Sequence, residues 1–378
     1  MRRMSKARAL YASTDRSADA LYLARTHIPD PFLAVDAEGR RTGVFGALEF
    51  GRMYASGAFA QVVAMEDLYL EAKAAYGAEP VPGDLLAILA RRMHLATVTV
   101  GADFPSLILR QAEKRGLAVE VEEGALFPER AVKTPGEIAE IALGNVSAAA
   151  GIAEAAALLK AATVRPGGAL ELAGEPLTSE RVRREIEIAC LKKGGWAMET
   201  IVAGGDQACD PHCEGEGILR ANELIVVDVF PRRAASGYFG DMTRTFLKGR
   251  PTERQEHLVA TVAQGQHLAL SQIRSGADGK AIHMAVTDYF DKMGYPTERR
   301  PERSVGFFHG LGHCVGLEIH ELPRMNRTGS PLAESNVITV EPGLYYPGLG
   351  GCRIEDVVVV RKDGCEMISS APYEWVIP

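Results

Sequence analysis

Asp228 stands inside Leu224-Ile-Val-Val-Asp228-Val-Phe230, an apolar run that reads as a buried strand. An ionised carboxylate there costs several kcal/mol unless something cancels its charge. A single acid of this kind is more often a strand-end residue facing water. The same problem recurs three times in the same half of the chain: at Asp241, at Glu341 before Pro342-Gly343, and at Glu355 within Arg353-Ile-Glu-Asp-Val357. Beside these acids lies a histidine cluster, His309, His313 and His320, three within twelve residues and set among glycines. Four carboxylates carry four negative charges, so two divalent cations balance them and one leaves the site anionic. Oxygen-rich ligation with one imidazole suits Mn²⁺, Co²⁺ or Zn²⁺, and the absence of a Cys-x-x-Cys pair argues against a structural zinc site. Two such ions about 3.5 to 4 Å apart lower the pKa of a water and polarise a carbonyl, which is the chemistry of hydrolysis.

Length and composition frame this site. A chain of 378 residues exceeds the usual size of a single core, so two domains are expected. Forty-two basic against 49 acidic residues give a net charge of −7, which offers no affinity for a phosphate backbone, and nucleic acid is not expected as a partner. No apolar run approaches the roughly 20 residues of a membrane span, so no membrane association is expected. The basic stretch Met1 to Arg8 is not followed by the apolar core of a secretory signal, and six cysteines are sparse for this length. A cytoplasmic chain with reduced thiols is the expectation.

Phe32–Val35 and Thr42–Phe45 read as a hairpin across Asp36–Gly39. Leu95–Val100, Pro105–Arg115 and Leu117–Val121 read as β-α-β. Past Phe127 the texture turns polar, and Thr134, Pro135 and Glu137 compose a helix start of cap, proline and capping-box acid, which puts a domain boundary near Arg130. Four helices are expected after it, from Thr134, from Thr178 or Ser179, from Thr252 and from Asp278, all with the stripe of an ordinary surface helix. Strand-like pieces fall at Leu224–Phe230, Asp241–Leu247, Val337–Glu341 and Arg353–Val360, so the second domain reads as α+β. Asp228 and Asp241 are 13 residues apart, Glu341 and Glu355 are 14 apart, and each pair spans a glycine-containing turn. Two such strand-turn-strand units suit a pseudo-symmetric site.

Five blocks in order carry a resemblance: Asp228; Gly237-Tyr-Phe-Gly-Asp241-Met-Thr-Arg-Thr-Phe246; His309-Gly-x-Gly-His313 with Gly316 and His320-Glu321; Val340-Glu341-Pro-Gly-Leu-Tyr345; and Arg353-Ile-Glu355-Asp356. They resemble the successive signatures of the pita-bread metallopeptidases, and the long form with an N-terminal domain is similar to Xaa-Pro aminopeptidase and prolidase. The resemblance implies a catalytic pita-bread domain over 131–378 and a smaller α/β creatinase-like domain over 1–130. It implies Asp228, Asp241, His313, Glu341 and Glu355 as ligands of two metal ions, Mn²⁺ before Co²⁺ or Zn²⁺. Catalytic roles would fall to His212, His309, His320, Glu341 and Arg353, with Glu341 moving a proton to the leaving nitrogen, His320 steadying the oxyanion and Arg353 pairing with a ligand carboxylate. His212, His309, His320 and Arg324 would contact the substrate, Arg324 through the free carboxylate of a dipeptide. The implied substrates are small proline-containing peptides, and the implied assembly is a homodimer. Relatives on the same scaffold that hydrolyse non-peptide bonds, act as lyases or only bind are the alternatives. Cys314, where glycine is common in the family, is expected to face away from the metals, and Cys209 and Cys213 to be small buried thiols.

Overall fold

The Thr134 start forms as its residues dictate. In the computed structural model, which describes residues 7–378, the Glu137 amide donates to Thr134 Oγ1 at 3.3 Å and Glu137 Oε2 accepts the Thr134 amide at 2.7 Å. Most of the basic stretch Met1–Arg8, through Lys6, lies outside the described residues. The chain divides into two compact units between Arg130 and Ala131.

The first unit is built on a six-stranded sheet with the spatial order Gln61–Ala64, Arg40–Phe45, Phe32–Ala37, Arg8–Ala12, Thr97–Gly101, Ala118–Glu122. Its central hairpin turns at Glu38 and Gly39, both at positive φ (57° and 80°), the geometry that matches the twist of a two-residue hairpin loop. The helix Ser106–Lys114 connects the parallel strands Thr97–Gly101 and Ala118–Glu122, a β-α-β crossover.

The second unit has two half-cores of similar construction. In one, the helices Pro135–Ala161 and Ser179–Lys192 cover a four-stranded sheet that includes Ile201–Gly204, Ile225–Val229 and Met242–Lys248, burying Ile152, Ile186, Val227 and Phe246. In the other, Glu253–Leu270 and Gly279–Lys292 cover a five-stranded sheet that includes Glu321–Met325, Gly312–Cys314, Val337–Val340 and Asp356–Arg361, burying Val262, Val286, Ile338 and Val358.

Two expectations need correction. The helix Pro135–Ala161 is not an ordinary surface helix: Ile141, Gly144, Asn145, Ser147, Ala148 and Gly151 are all buried. A Cβ on Gly144 would lie 2.5 Å from the Gly240 nitrogen, so only glycine lets this helix approach the Asp241 loop. At 27 residues and a mean hydropathy of 1.5 over its most apolar window, it is long and apolar enough by length and composition to cross a bilayer, contrary to the absence of such a run read from the sequence. In the structure 44% of that window is buried inside the protein. The second correction concerns Arg353–Val360, which is not one strand. Gly350–Arg353 pairs with Gly343–Tyr346, Asp356–Arg361 pairs with Val337–Val340, and Ile354 and Glu355 form the step between the two ladders. There the Glu355 amide donates to the Thr243 carbonyl at 3.1 Å.

Candidate active site

The four carboxylates converge because the two sheets present their strand ends to one another. Asp228 lies within its strand with Cα partners Ile201 and Thr243, and Asp241 precedes Met242, which pairs with Val229. Across from them Val340 pairs with Asp356, so Glu341 and Glu355 leave adjacent strand ends side by side. His313 faces this group from the strand Gly312–Cys314. Donor atoms of Asp241, His313 and Glu355 all lie within 4.8 Å of one another, the one such grouping of metal-ligating side chains among the described residues. His313 Nε2 is 3.1 Å from Glu341 Oε1 and 3.9 Å from Asp241 Oδ2.

Neighbouring groups orient each donor. The Asp241 amide donates to Asn145 Oδ1 at 2.9 Å, so the long helix holds the loop that carries this acid. Thr243 Oγ1 donates to Glu355 Oε2 at 2.7 Å, and Thr339 Oγ1 donates to Glu341 Oε1 at 3.1 Å while accepting the His313 amide at 3.0 Å. His313 Nδ1 points at the Cys314 carbonyl at 3.2 Å, an arrangement that assigns the proton to Nδ1 and turns Nε2 toward the acids. Arg353 Nη2 donates to Asp228 Oδ2 at 2.7 Å, and Asp228 Oδ1 is buried with no hydrogen-bond partner among the described residues.

The electrostatics are those of a site with too much negative charge for its own cations. Asp228, Asp241 and Glu355 are 8%, 4% and 2% exposed, so little water screens them. Burial, then the charge of Asp228, pushes Asp241 well above the usual carboxylate range, and burial, then Asp241 and Glu341, does the same to Glu355. Burial also raises Glu341, but the hydrogen bond and charge of His313 outweigh it and hold the group at about 2. Desolvation lowers His313, and Glu341 and Asp241 together carry it above its ordinary value. Arg353 and His313 cannot balance four acids. The oxygen-rich set with one imidazole, the orphaned Asp228 oxygen and the mutual repulsion of the acids together fit divalent cations.

A cavity of about 610 Å³ opens over this group, and His212, His309, His320 and Arg324 all line it. His309 differs from the expected substrate contact. Its Nδ1 meets the Gly310 carbonyl at 2.7 Å and its Nε2 the Tyr345 hydroxyl at 2.9 Å, so both ring nitrogens are taken by the protein and the ring serves as wall. Tyr345 in turn accepts from Arg353 Nη1 at 2.9 Å. Desolvation pushes His309 down to about 4. His320 stacks edge-on against His313 at a centroid distance of 4.4 Å, and desolvation, then the charge of His313, pushes it to about 4. His212 and Arg324 are exposed, Arg324 sits directly across the ladder from His313, and Arg324 has no ion-pair partner among the described residues. Cys314 is fully buried in the second half-core, its thiol pushed up to about 12 by desolvation; Cys209 is also buried, but Cys213, expected to be buried with it, is only half-buried.

Sequence reasoning missed Tyr345, Thr243, Thr339 and Asn145. The first two lie inside the quoted blocks, where a hydroxyl near a candidate ligand was the available signal.

Residues 145–362 match the model of metallopeptidase family M24. The chain belongs to that family. Among curated relatives of this M24 chain, the Xaa-Pro dipeptidase of Pyrococcus furiosus is 33% identical over 202 residues, 51% of this chain and 55% of the relative. The Xaa-Pro dipeptidase of Pyrococcus horikoshii is 32% identical over 182 residues, 48% of this chain and 49% of the relative. The chain thus spans about half the length of the curated relatives it matches. Among solved structures, the X-Pro aminopeptidase from Thermotoga maritima superposes with a TM-score of 0.80 at 23% identity, covering 99% of this chain and 98% of the other. The prolidase from Pyrococcus horikoshii gives 0.77 at 22%, covering 98% and 95%. These likenesses establish the pita-bread fold, and the M24 family is one of metal-dependent enzymes.

Proposed function

We propose that this M24 chain is an exopeptidase that hydrolyses the Xaa-Pro bond of small peptides with a pair of divalent cations, Mn²⁺ before Co²⁺ or Zn²⁺. The observation that carries the reading is the convergence of Asp241, His313 and Glu355 donors within 4.8 Å, beside Glu341 and the orphaned oxygen of Asp228. Asp228, Asp241, His313, Glu341 and Glu355 would hold the ions. When bound, the pair supplies Lewis acidity that activates a water and polarises a peptide carbonyl.

The side chains do the rest. Glu341, kept ionised by His313 and aligned by Thr339, accepts a proton and passes it to the leaving nitrogen. His320, neutral at physiological pH, donates to the developing oxyanion. Arg353 fixes Asp228, and Tyr345 with His309 forms the wall behind it. His212 contacts the substrate from the exposed side of the cavity. Proline preference rests on the likeness to the Xaa-Pro dipeptidases. The unpaired guanidinium of Arg324 on the cavity wall supports dipeptides over longer substrates, since it suits a free carboxylate. With the resemblance go a homodimer and a cytoplasmic location, which sedimentation velocity and cell fractionation test.

The test of the activity is chelation. Dialysis against a chelator abolishes cleavage of Ala-Pro, and Mn²⁺ restores it. Cleavage that persists without metal, or no turnover in either state, contradicts the reading. Arg324→Ala lowers the preference for Ala-Pro over Ala-Pro-Ala, and an unchanged ratio rejects carboxylate docking.

A further inference from the structure

Away from the metal-ligating group, Lys133 and Glu321 form an ion pair at 2.6 Å with side chains only 1% and 6% exposed. The two residues are 188 positions apart. The Glu321 carboxylate also takes two backbone donors: its Oε1 accepts the Leu317 amide at 3.0 Å and the Glu318 amide at 3.3 Å. Gly316 fits the same carboxylate closely, since a Cβ there would stand 2.6 Å from both of its oxygens. The turn from Gly316 to His320 is thereby moulded on one buried anion. Lys133 is itself fixed, its amide donating to the Ser335 carbonyl at 2.9 Å.

What that turn carries matters. Ile319 and His320 line the cavity, and Glu321 opens the strand Glu321–Met325 that bears Arg324. The Gly316 carbonyl accepts the Phe239 amide at 2.8 Å, two residues before Asp241. A buried ion pair adds little net stability over an apolar pair of similar volume, so stability alone gives no reason for it. A carboxylate that accepts two backbone amides and a lysine inside the protein is instead a fixed point for the turn that donates to it.

We propose that Lys133 and Glu321 are positioning residues: the lysine fixes the Glu321 carboxylate, and the carboxylate holds the Gly316–His320 turn so that His320 meets the scissile bond. This inference rests on the role of His320 in the function proposed above.

The test uses the full-length Mn²⁺-loaded protein and three variants. Lys133→Met/Glu321→Leu removes the anchor and leaves no buried charge. Lys133→Met/Glu321→Gln removes the charges and keeps an acceptor. Gly316→Ala pushes the turn off the carboxylate without altering either charge. Hydrogen exchange at the Leu317 and Glu318 amides, Mn²⁺ content, and kcat and KM for Ala-Pro are measured on each. The leucine-bearing variant and Gly316→Ala are expected to keep their Mn²⁺, lose protection at both amides, and lose kcat by on the order of 10- to 100-fold, the scale of a misplaced catalytic group. The glutamine-bearing variant is expected to recover both. Protection unchanged in the leucine-bearing variant and in Gly316→Ala, a kcat loss that follows Mn²⁺ loss, or no recovery with glutamine overturns the proposal. If the leucine-bearing variant does not fold, Gly316→Ala decides on the same readouts. If the wild type cleaves no peptide, the peptidase reading falls and the exchange comparison alone decides whether the anchor exists.

Discussion

Both units bury carboxylates, but they treat them differently. In the first unit Asp36, 2% exposed, accepts the Gly39 amide at 2.8 Å and faces Arg8 at 3.3 Å and Arg41 at 3.8 Å. Asp84, 3% exposed, meets Arg115 at 2.8 Å. In the second unit Asp356, fully buried, is served by Arg244, Gln266, Ser369 and Tyr373. In the same unit Asp228, Asp241, Glu341 and Glu355 have, among the described residues, only Arg353 and His313 as ion-pair partners, and one Asp228 oxygen has no hydrogen-bond partner there. A buried acid with its own cations is architecture, since the protein has completed its charge balance. A group of acids short of cations is a receptor for them.

Removing a member of the unbalanced group gives the largest effect. Asp241→Ala is expected to lower kcat/KM for Ala-Pro by at least about 1000-fold, since several kcal/mol of transition-state stabilisation go with the ions. Activity within tenfold of wild type would break the distinction between the two kinds of buried acid. Arg353→Met, which leaves Asp228 without its guanidinium, is expected to weaken Mn²⁺ binding by about 10- to 100-fold, measured by calorimetric titration.

The pH dependence of metal stabilisation is the next effect in size. Asp241 and Glu355 are raised in the folded protein, so their protonated forms favour folding below the ordinary carboxylate pKa, and that contribution is lost as pH rises through the raised values. Cations compete with those protons, so the gain in Tm on adding Mn²⁺ should be larger at pH 8 than at pH 5.5. A gain that shrinks with pH contradicts the charge balance. The smallest effect belongs to the balanced acid: Asp36→Asn should lower stability by about 1–3 kcal/mol in urea unfolding, with Mn²⁺ content as in wild type. A change in metal content there would erase the contrast.

Much of this was legible in the chain itself, for physical reasons. An acid in an apolar strand is a conflict that local sequence exposes, so Asp228, Asp241, Glu341 and Glu355 stood out before any geometry. Helix starts were legible because a cap is local, as at Thr134, Thr178, Thr252 and Asp278, each of which accepts a backbone amide in the structure. What escaped depends on contacts between distant residues. The approach of Gly144 to Gly240, the Tyr345 hydroxyl between His309 and Arg353, and the Lys133–Glu321 pair leave no periodic trace. The break at Ile354–Glu355 was hidden because both flanking segments are buried and apolar, so alternation gives no mark where one ladder ends and the next begins.

The most direct measurement is the metal stoichiometry of the purified chain after equilibrium dialysis against Mn²⁺, read by elemental analysis. Two ions per chain in the wild type, with loss of bound metal in Asp241→Ala, is the result predicted. Wild-type protein that retains no Mn²⁺, Co²⁺ or Zn²⁺, or an Asp241→Ala variant that retains the full complement, would contradict the account of the site.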